Sequence, residues 1–66
     1  MQKRKIDGYF INTYYDDNGV DFMLACWILN GRFYQHFYDA KNDVLHKTRR
    51  ISGAEYQRQY EYHYNI

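Results

Sequence analysis

The pattern of apolar and polar positions predicts three antiparallel strands in the first part of the chain. Residues 5–15 are rich in Ile, Tyr, Phe and Thr, which favours a strand. Residues 20–29 are almost continuously apolar, as is typical of a central strand covered on both faces. Residues 32–38 follow after Asn30-Gly31, the pair preferred in a two-residue type I′ hairpin. We therefore expect a meander of three strands.

The last third of the chain contains a signal for the start of a helix. Ser52 stands three residues before Glu55, the spacing of a capping box, and predicts a helix over residues 53–64. A competing pattern exists, because tyrosines alternate with polar residues from Tyr56 onward, as in a strand. Residues 44–51 are expected to form either a fourth strand or a short helix capped by Asp39, and we favour the strand.

These elements predict a single α+β domain over residues 1–66. Its antiparallel sheet would have three to four strands in a meander, with one C-terminal helix packed on one face. If residues 53–64 form a strand instead, the fold becomes a five-stranded all-β meander. With 66 residues, the chain lies near the lower limit for independent folding, and self-association would let it bury more surface.

The second hairpin determines which side chains share a face of the sheet. A loop at Asn30-Gly31 pairs Leu29 with Arg32, so one face holds Phe22, Leu24, Cys26, Ile28, Phe33 and Phe37. For the first hairpin, loops of two and of four residues both place Phe10, Asn12 and Tyr14 on the opposite face, with Trp27. We therefore expect a core built on Phe22, Leu24, Ile28 and Phe37.

The composition points to a binding surface on the second face. Nine of the 66 residues are tyrosine, and a Tyr ring offers a large contact area with few torsions to immobilise. Aromatic residues and Met are enriched at the centres of protein interfaces. We predict a protein partner or a homo-oligomer, bound through a face on which the following residues lie: Phe10, Tyr14, Met23, Trp27, Tyr34 and Tyr38.

Residue types that carry chemistry occur without the spacing that chemistry requires. Cys26 is the only cysteine, and His36, His46 and His63 are far apart in the sequence, so we expect no metal site and no cofactor. No phosphate-binding glycine loop is present. We therefore expect no enzymatic activity. A single cysteine and no recognisable secretion signal favour the cytoplasm, and no apolar run is long enough to span a membrane.

Nucleic acid binding is the alternative function. The basic residues are concentrated towards the two ends of the chain, although the net charge is only +1. They could contact phosphates while tyrosine rings stack on bases of a single strand. The residues expected to carry this alternative are Lys3, Arg4, Lys5, Lys47, Arg49 and Arg50.

In brevity and in its aromatic sheet, the chain resembles the small accessory and inhibitor proteins of phages and mobile elements. The resemblance is based on the short length and the aromatic sheet, and no sequence motif supports it. It implies a non-enzymatic protein that regulates or inhibits a partner by binding to it.

Overall fold

The computed structural model describes residues 6–65, which form an antiparallel sheet and one helix. The strands are β1 (Ile6–Asp16), β2 (Gly19–Leu29), β3 (Arg32–Asp39), β4 (Val44–Leu45) and β5 (Arg49–Ile51), and helix α1 spans Gly53–Tyr64. The first three strands form a meander, and β4 and β5 both pair with the free edge of β3. The predicted α+β fold is confirmed, and the all-β alternative is wrong because residues 53–64 are helical.

The register of the second hairpin is the one that its turn predicts. Leu29 pairs with Arg32, Ile28 with Phe33, and the regular pairing continues along both strands. Asn30 and Gly31 have φ values of 53° and 74°, as a type I′ turn requires. The side chains of β2 and β3 therefore alternate between the faces as expected.

The first hairpin contains a β-bulge that the sequence analysis missed. Asp16 pairs with Gly19 and Tyr15 with Val20, but Tyr14 then pairs with Phe22 and leaves Asp21 without a partner. One extra residue exchanges the faces of everything that follows it in the strand. The prediction that Phe10 and Tyr14 share a face with Trp27 is therefore wrong.

The two faces of the sheet are defined by this corrected register. The helix face, on which α1 lies, carries Phe10, Asn12, Tyr14, Phe22, Leu24, Cys26, Ile28, Phe33, Gln35 and Phe37. The open face carries Ile6, Tyr9, Ile11, Thr13, Tyr15, Met23, Ala25, Trp27, Leu29, Arg32, Tyr34, His36, Tyr38, Leu45 and Arg50.

A second bulge near the start of β1 places Tyr9 on the open face. Asp7 pairs with Ile28 and Phe10 with Cys26, so Gly8 and Tyr9 together lie opposite Trp27. Gly8 has a φ of 57°, a left-handed conformation that glycine adopts at low cost. The ring of Tyr9 consequently lies 6.1 Å from the ring of Trp27.

Helix α1 begins where the capping box predicts. The main-chain N–H of Glu55 donates to the side-chain oxygen of Ser52 over 3.1 Å, which satisfies one of the free amide groups of the first turn. At the other end, Asn65 adopts the left-handed conformation and its N–H bonds to the carbonyl oxygen of Glu61.

The core lies between α1 and the part of the helix face that α1 covers. Its buried residues are Phe10, Cys26, Ile51 and Tyr56, with Ile28, Phe33 and Tyr60 packed against them. Of the residues predicted to form the core, Ile28 packs against this cluster, whereas Phe22, Leu24 and Phe37 are half-buried and lie outside it. A helix of 12 residues covers one part of this face and leaves the remainder partly exposed.

Candidate interaction surface

The open face is an apolar surface that no described element of the fold covers. No helix or strand within residues 6–65 packs on it, because the chain after β5 turns to the other side of the sheet. Several of its apolar side chains are exposed, with Tyr9 at 56% and Leu45 at 64%. Contiguous exposed apolar surface marks sites where proteins bind other molecules.

A row of aromatic rings crosses the open face from β1 to β3. The ring of Trp27 lies 6.1 Å from Tyr9, 6.2 Å from Tyr34 and 5.1 Å from His36, measured between centroids. These neighbours leave Trp27 only 9% exposed, although no second layer formed by residues 6–65 covers it. The row is therefore already packed before any partner arrives, so that less side-chain entropy is lost on binding.

A shallow groove lies beside this row, over the smallest residue in the middle of the face. Ala25 is flanked by Ile11 on β1 and His36 on β3, and its short side chain leaves a depression between larger neighbours. The groove has a volume of about 180 Å³ and is lined by Tyr9, Ile11, Met23, Ala25, His36, Tyr38 and Leu45. It could receive one protruding apolar side chain.

Two polar contacts hold side chains of the open face in place. The hydroxyl of Tyr38 donates a hydrogen bond of 2.5 Å to the carboxylate of Asp43. This bond raises the pKa of Tyr38, because the carboxylate favours the protonated phenol. The hydroxyl of Thr48 makes a hydrogen bond with Nε2 of His36. Both bonds reduce the freedom of rings that border the groove.

The structure divides the predicted partner-binding residues between the two faces. Met23, Trp27, Tyr34 and Tyr38 lie together on the open face. Phe10 lies in the core at 4% exposure, beneath α1.

Tyr14 is on the helix face as well, where its hydroxyl donates to Gln59 over 3.2 Å and burial raises its pKa. Tyr9, Ile11 and Leu45 also lie on the open face, although the sequence pattern did not predict them as partner-binding residues. The only sequence features that could have indicated bulges in the pairing of β1 with β2 are Gly8 and the turn rich in Asp and Asn.

The helix face has an aromatic ladder of its own, formed by Tyr62, Tyr14, Phe22, Phe37 and His46. The rings of Tyr14 and Phe22 are 4.4 Å apart and inclined by 15°, and those of Tyr14 and Tyr62 are 5.2 Å apart and inclined by 17°. Phe37 continues the ladder at 5.4 Å from Phe22, and His46 at 5.0 Å from Phe37. His46 meets Phe37 edge-on, at 67°. Tyr14 and Phe22 are each stacked between two other rings, so their planes are not free to stack on nucleic acid bases.

The described basic residues of the nucleic acid alternative are not gathered on one face. Arg49 pairs with Gln35 and Arg50 with Tyr34, so their side chains lie on opposite sides of β5. Arg49 also donates to the side chain of Gln35 over 3.1 Å and forms an ion pair of 3.2 Å with Glu55. Lys47 is exposed in the segment between β4 and β5. Lys3, Arg4 and Lys5 lie outside the described residues.

Cys26 occupies the centre of the core and has no exposed surface. The amide nitrogen of Gln35 donates to its sulfur over 3.7 Å. Burial raises the pKa of the thiol, which makes it a poor nucleophile at neutral pH. Among residues 6–65, no group of three or more His, Cys, Asp or Glu side chains could hold a metal ion.

Within the same residues, no helix has both the length and the apolar character needed to cross a membrane. No model of a protein family matches the chain, and neither a curated protein nor a solved structure shows significant similarity to it. The functional interpretation therefore depends on the geometry of the two faces.

Proposed function

We propose that this is a non-enzymatic protein-binding module that acts through its open face. The observation that carries the proposal is that the open face is aromatic and apolar and has no cover within residues 6–65. Trp and Tyr are the residue types that most often dominate the energy of protein interfaces. Here Trp27, Tyr9 and Tyr34 form one packed row at the centre of such a face.

The shape and chemistry of the face support a protein partner over the alternatives. Small-molecule sites usually enclose about 300–1,000 Å³, whereas the groove over Ala25 holds about 180 Å³. Single-stranded nucleic acid would require a continuous track of cations, and Arg49 and Arg50 lie on opposite sides of β5. A flat, apolar and aromatic face fits the surface of another protein.

A module of this kind would act by occupying its partner. The role is that of a small regulatory or inhibitory accessory protein, in keeping with the resemblance to phage and mobile-element proteins. The buried free thiol of Cys26 supports our proposal of a cytoplasmic location, because small secreted domains are usually stabilised by disulfides.

Site-specific photocrosslinking tests the proposal. Benzoylphenylalanine is introduced in place of Leu45 on the open face, and in a control in place of Arg58, an exposed residue of α1. The proteins are irradiated in cells that contain the natural partners, and adducts are identified by mass spectrometry. We expect one defined protein adduct at position 45, its loss when Tyr9→Asp is added, and none at position 58. Adducts that form equally at both positions, or at neither, would refute the proposal.

A further inference from the structure

The charged residues that border the open face are separated towards its two ends. At the end near the second hairpin, Arg32 lies opposite Leu29, and Arg50 lies opposite Tyr34. At the other end, the turns that join β1 to β2 and β3 to β4 carry Asp17 and Asp43. Asp43 is hydrogen bonded to Tyr38 of the open face, which places its carboxylate at the border of that face.

Further acidic residues lie at the same end as these turns. Asp16, Asp21 and Asp39 occur close to the ends of β1, β2 and β3, and among the described residues only Asp16 has an ion pair there, with Lys41 at 2.7 Å. The carboxylate of Asp39 is held by Asn42. Asp39 pairs with Phe22 and therefore lies on the helix face. The acidic group at this border of the open face is Asp43, with Asp17 in the neighbouring turn, whereas the opposite end carries Arg32 and Arg50.

The middle of the open face contains no Asp, Glu, Lys or Arg. The central cross-strand row is formed by Ile11, Ala25 and His36, and the next row by Thr13, Met23 and Tyr38. Such a face can pack against another apolar face without burying an unpaired formal charge, which would be strongly unfavourable. The charges at the ends then determine which orientation of the partner is favoured.

We propose that the occupant of the open face is a second copy of this chain, packed face to face with its strands antiparallel to those of the first. The inference rests on the proposed function and specifies its partner. The two-fold axis lies in the plane of the interface and runs perpendicular to the strands. It brings Arg32 and Arg50 of one copy over the acidic end of the other. The opposite contact repeats this pairing by symmetry. An axis along the strands would place like charges together.

The size of the face is compatible with a dimer of modest affinity. β3 has eight residues and is about 27 Å long, and four adjacent strands are about 19 Å wide. The projected area of the face is therefore about 500 Å². Its accessible area is larger, because the side chains protrude from the sheet. A standard interface buries about 800 Å² per partner. Because buried area does not set affinity, the comparison indicates a small interface, and the test is designed for micromolar concentrations.

Sedimentation equilibrium of the full chain and of charge variants tests the proposal. Concentrations from about 1 to about 200 µM bracket the expected dissociation constant. The wild-type chain should dimerise. Arg32→Glu with Arg50→Glu should raise the dissociation constant by about tenfold or more, because attraction becomes repulsion at both ends. Arg58→Glu, on the outer side of α1, is the charge control and should leave the constant unchanged.

Complementation tests the orientation directly. A second variant, Asp17→Lys with Asp43→Asn, makes the acidic end less negative and should also dimerise weakly. An equimolar mixture of the two variants should form a heterodimer more tightly than either variant forms a homodimer. Asn is chosen at position 43 because Asp43 has a φ of 55°, which Asn tolerates. Circular dichroism would verify that all variants retain the fold.

The outcomes distinguish this inference from the proposed function. A wild-type chain that remains monomeric up to about 200 µM overturns the dimer, and so does equal weakening by Arg58→Glu. A dimer that is insensitive to both sets of end variants overturns the antiparallel arrangement. If the chain is monomeric while position 45 still crosslinks to another protein, the second copy is the wrong occupant and the proposed function stands. If neither occurs, both fail.

Discussion

The hydroxyl of Tyr56 on α1 donates a hydrogen bond of 2.8 Å to the main-chain carbonyl oxygen of Gly8 in β1. This bond ties the helix to the bulge that brings Tyr9 onto the open face. A Cβ atom at Gly8 would collide with the Tyr56 hydroxyl, and the φ of 57° at Gly8 is itself unfavourable for alanine. Gly8 therefore links the packing of the helix to the shape of the candidate surface.

We expect Gly8→Ala to lower the free energy of unfolding by about 2–4 kcal/mol, through backbone strain and displacement of Tyr56. Gly31→Ala is the matched control, because Gly31 also has positive φ but nothing lies within 4 Å of its missing side chain. It should cost about 1–2 kcal/mol from strain alone. Urea denaturation measures both. Equal losses in the two variants would show that the contact with Tyr56 contributes nothing.

A pair of neighbouring residues tests the corrected register of β1. Phe10→Ala removes a core ring and should cost about 3–5 kcal/mol, enough to unfold most of a domain this small. Ile11→Ala alters the open face, where Ile11 is 38% exposed, and should cost about 1 kcal/mol. Thermal and urea unfolding give the comparison. A larger loss for Ile11→Ala than for Phe10→Ala would restore the original assignment of the faces.

Asn12 is the polar centre of the contact between β1 and α1. It is 3% exposed, and its amide nitrogen donates to the main-chain oxygen of Gln59 over 3.0 Å and to the side-chain oxygen over 2.8 Å. Its oxygen then accepts a hydrogen bond of 2.8 Å from Nδ1 of His63. We expect Asn12→Ala to cost about 1–3 kcal/mol, because partners are left unsatisfied.

A double-mutant cycle with Gln59→Ala checks this interpretation. The double variant should lose less stability than the sum of the two single losses, because both substitutions remove the hydrogen bond between the side chains of Asn12 and Gln59. Strictly additive losses, measured by urea denaturation, would mean that Asn12 and Gln59 act independently.

The ion pair between Asp16 and Lys41 predicts a pH dependence of stability. The hydrogen bond from Lys41 lowers the pKa of Asp16, and Asp16 in turn raises the pKa of Lys41. The folded-state pKa of Asp16 lies below its unfolded value of about 3.9, so its contribution is complete above that pH and is lost as pH falls. The contribution of Lys41 is complete below its unfolded pKa of about 10.4 and is lost at higher pH.

Lys41→Met should therefore lower the melting temperature at neutral pH, and the difference from wild type should disappear towards about pH 2. Lys47→Met is the control, since Lys47 has no ion pair among the described residues. Thermal unfolding followed by circular dichroism over this pH range provides the measurement. A difference for Lys41→Met that persists unchanged in acid would rule out the ion pair as its cause.

If the chain bound nucleic acid, its affinity would fall steeply as the salt concentration rises. If the protein binds other proteins as proposed, fluorescence anisotropy should detect no micromolar affinity for single-stranded DNA or RNA at about 50 mM salt. Affinity in that range that falls steeply towards about 200 mM, and that both Arg49→Ala and Arg50→Ala weaken, would favour the alternative. The wild-type chain in its folded state serves as its own reference across the salt series.

Local signals in the sequence were sufficient for most of the architecture. Asn30-Gly31 adopts the expected turn, and Ser52 caps the expected helix. These features were predictable because a few neighbouring residues decide them: a turn needs positive φ, and a helix start needs an acceptor for free amides. The strand over residues 44–51 is present as β4 and β5, interrupted between them.

The composition of the candidate surface could be predicted only in part. Met23, Trp27, Tyr34 and Tyr38 were assigned correctly to one face, because the second hairpin has a regular register. Phe10 and Tyr14 were assigned to the wrong face because a single bulged residue, Asp21, reverses the alternation along β1. Nothing in the local sequence distinguishes that bulge from a longer turn.

Local signals along the chain specify the elements, their order and the presence of more aromatic surface than a short chain can bury. Which rings became core and which became surface was settled by packing between distant residues. That decision depends on two bulges and on where α1 lies, which involve contacts between residues far apart in the chain, such as Tyr56 with Gly8 and Gln59 with Asn12. Local preferences act over a few residues, whereas the alternation of a strand transmits one irregularity to every position beyond it.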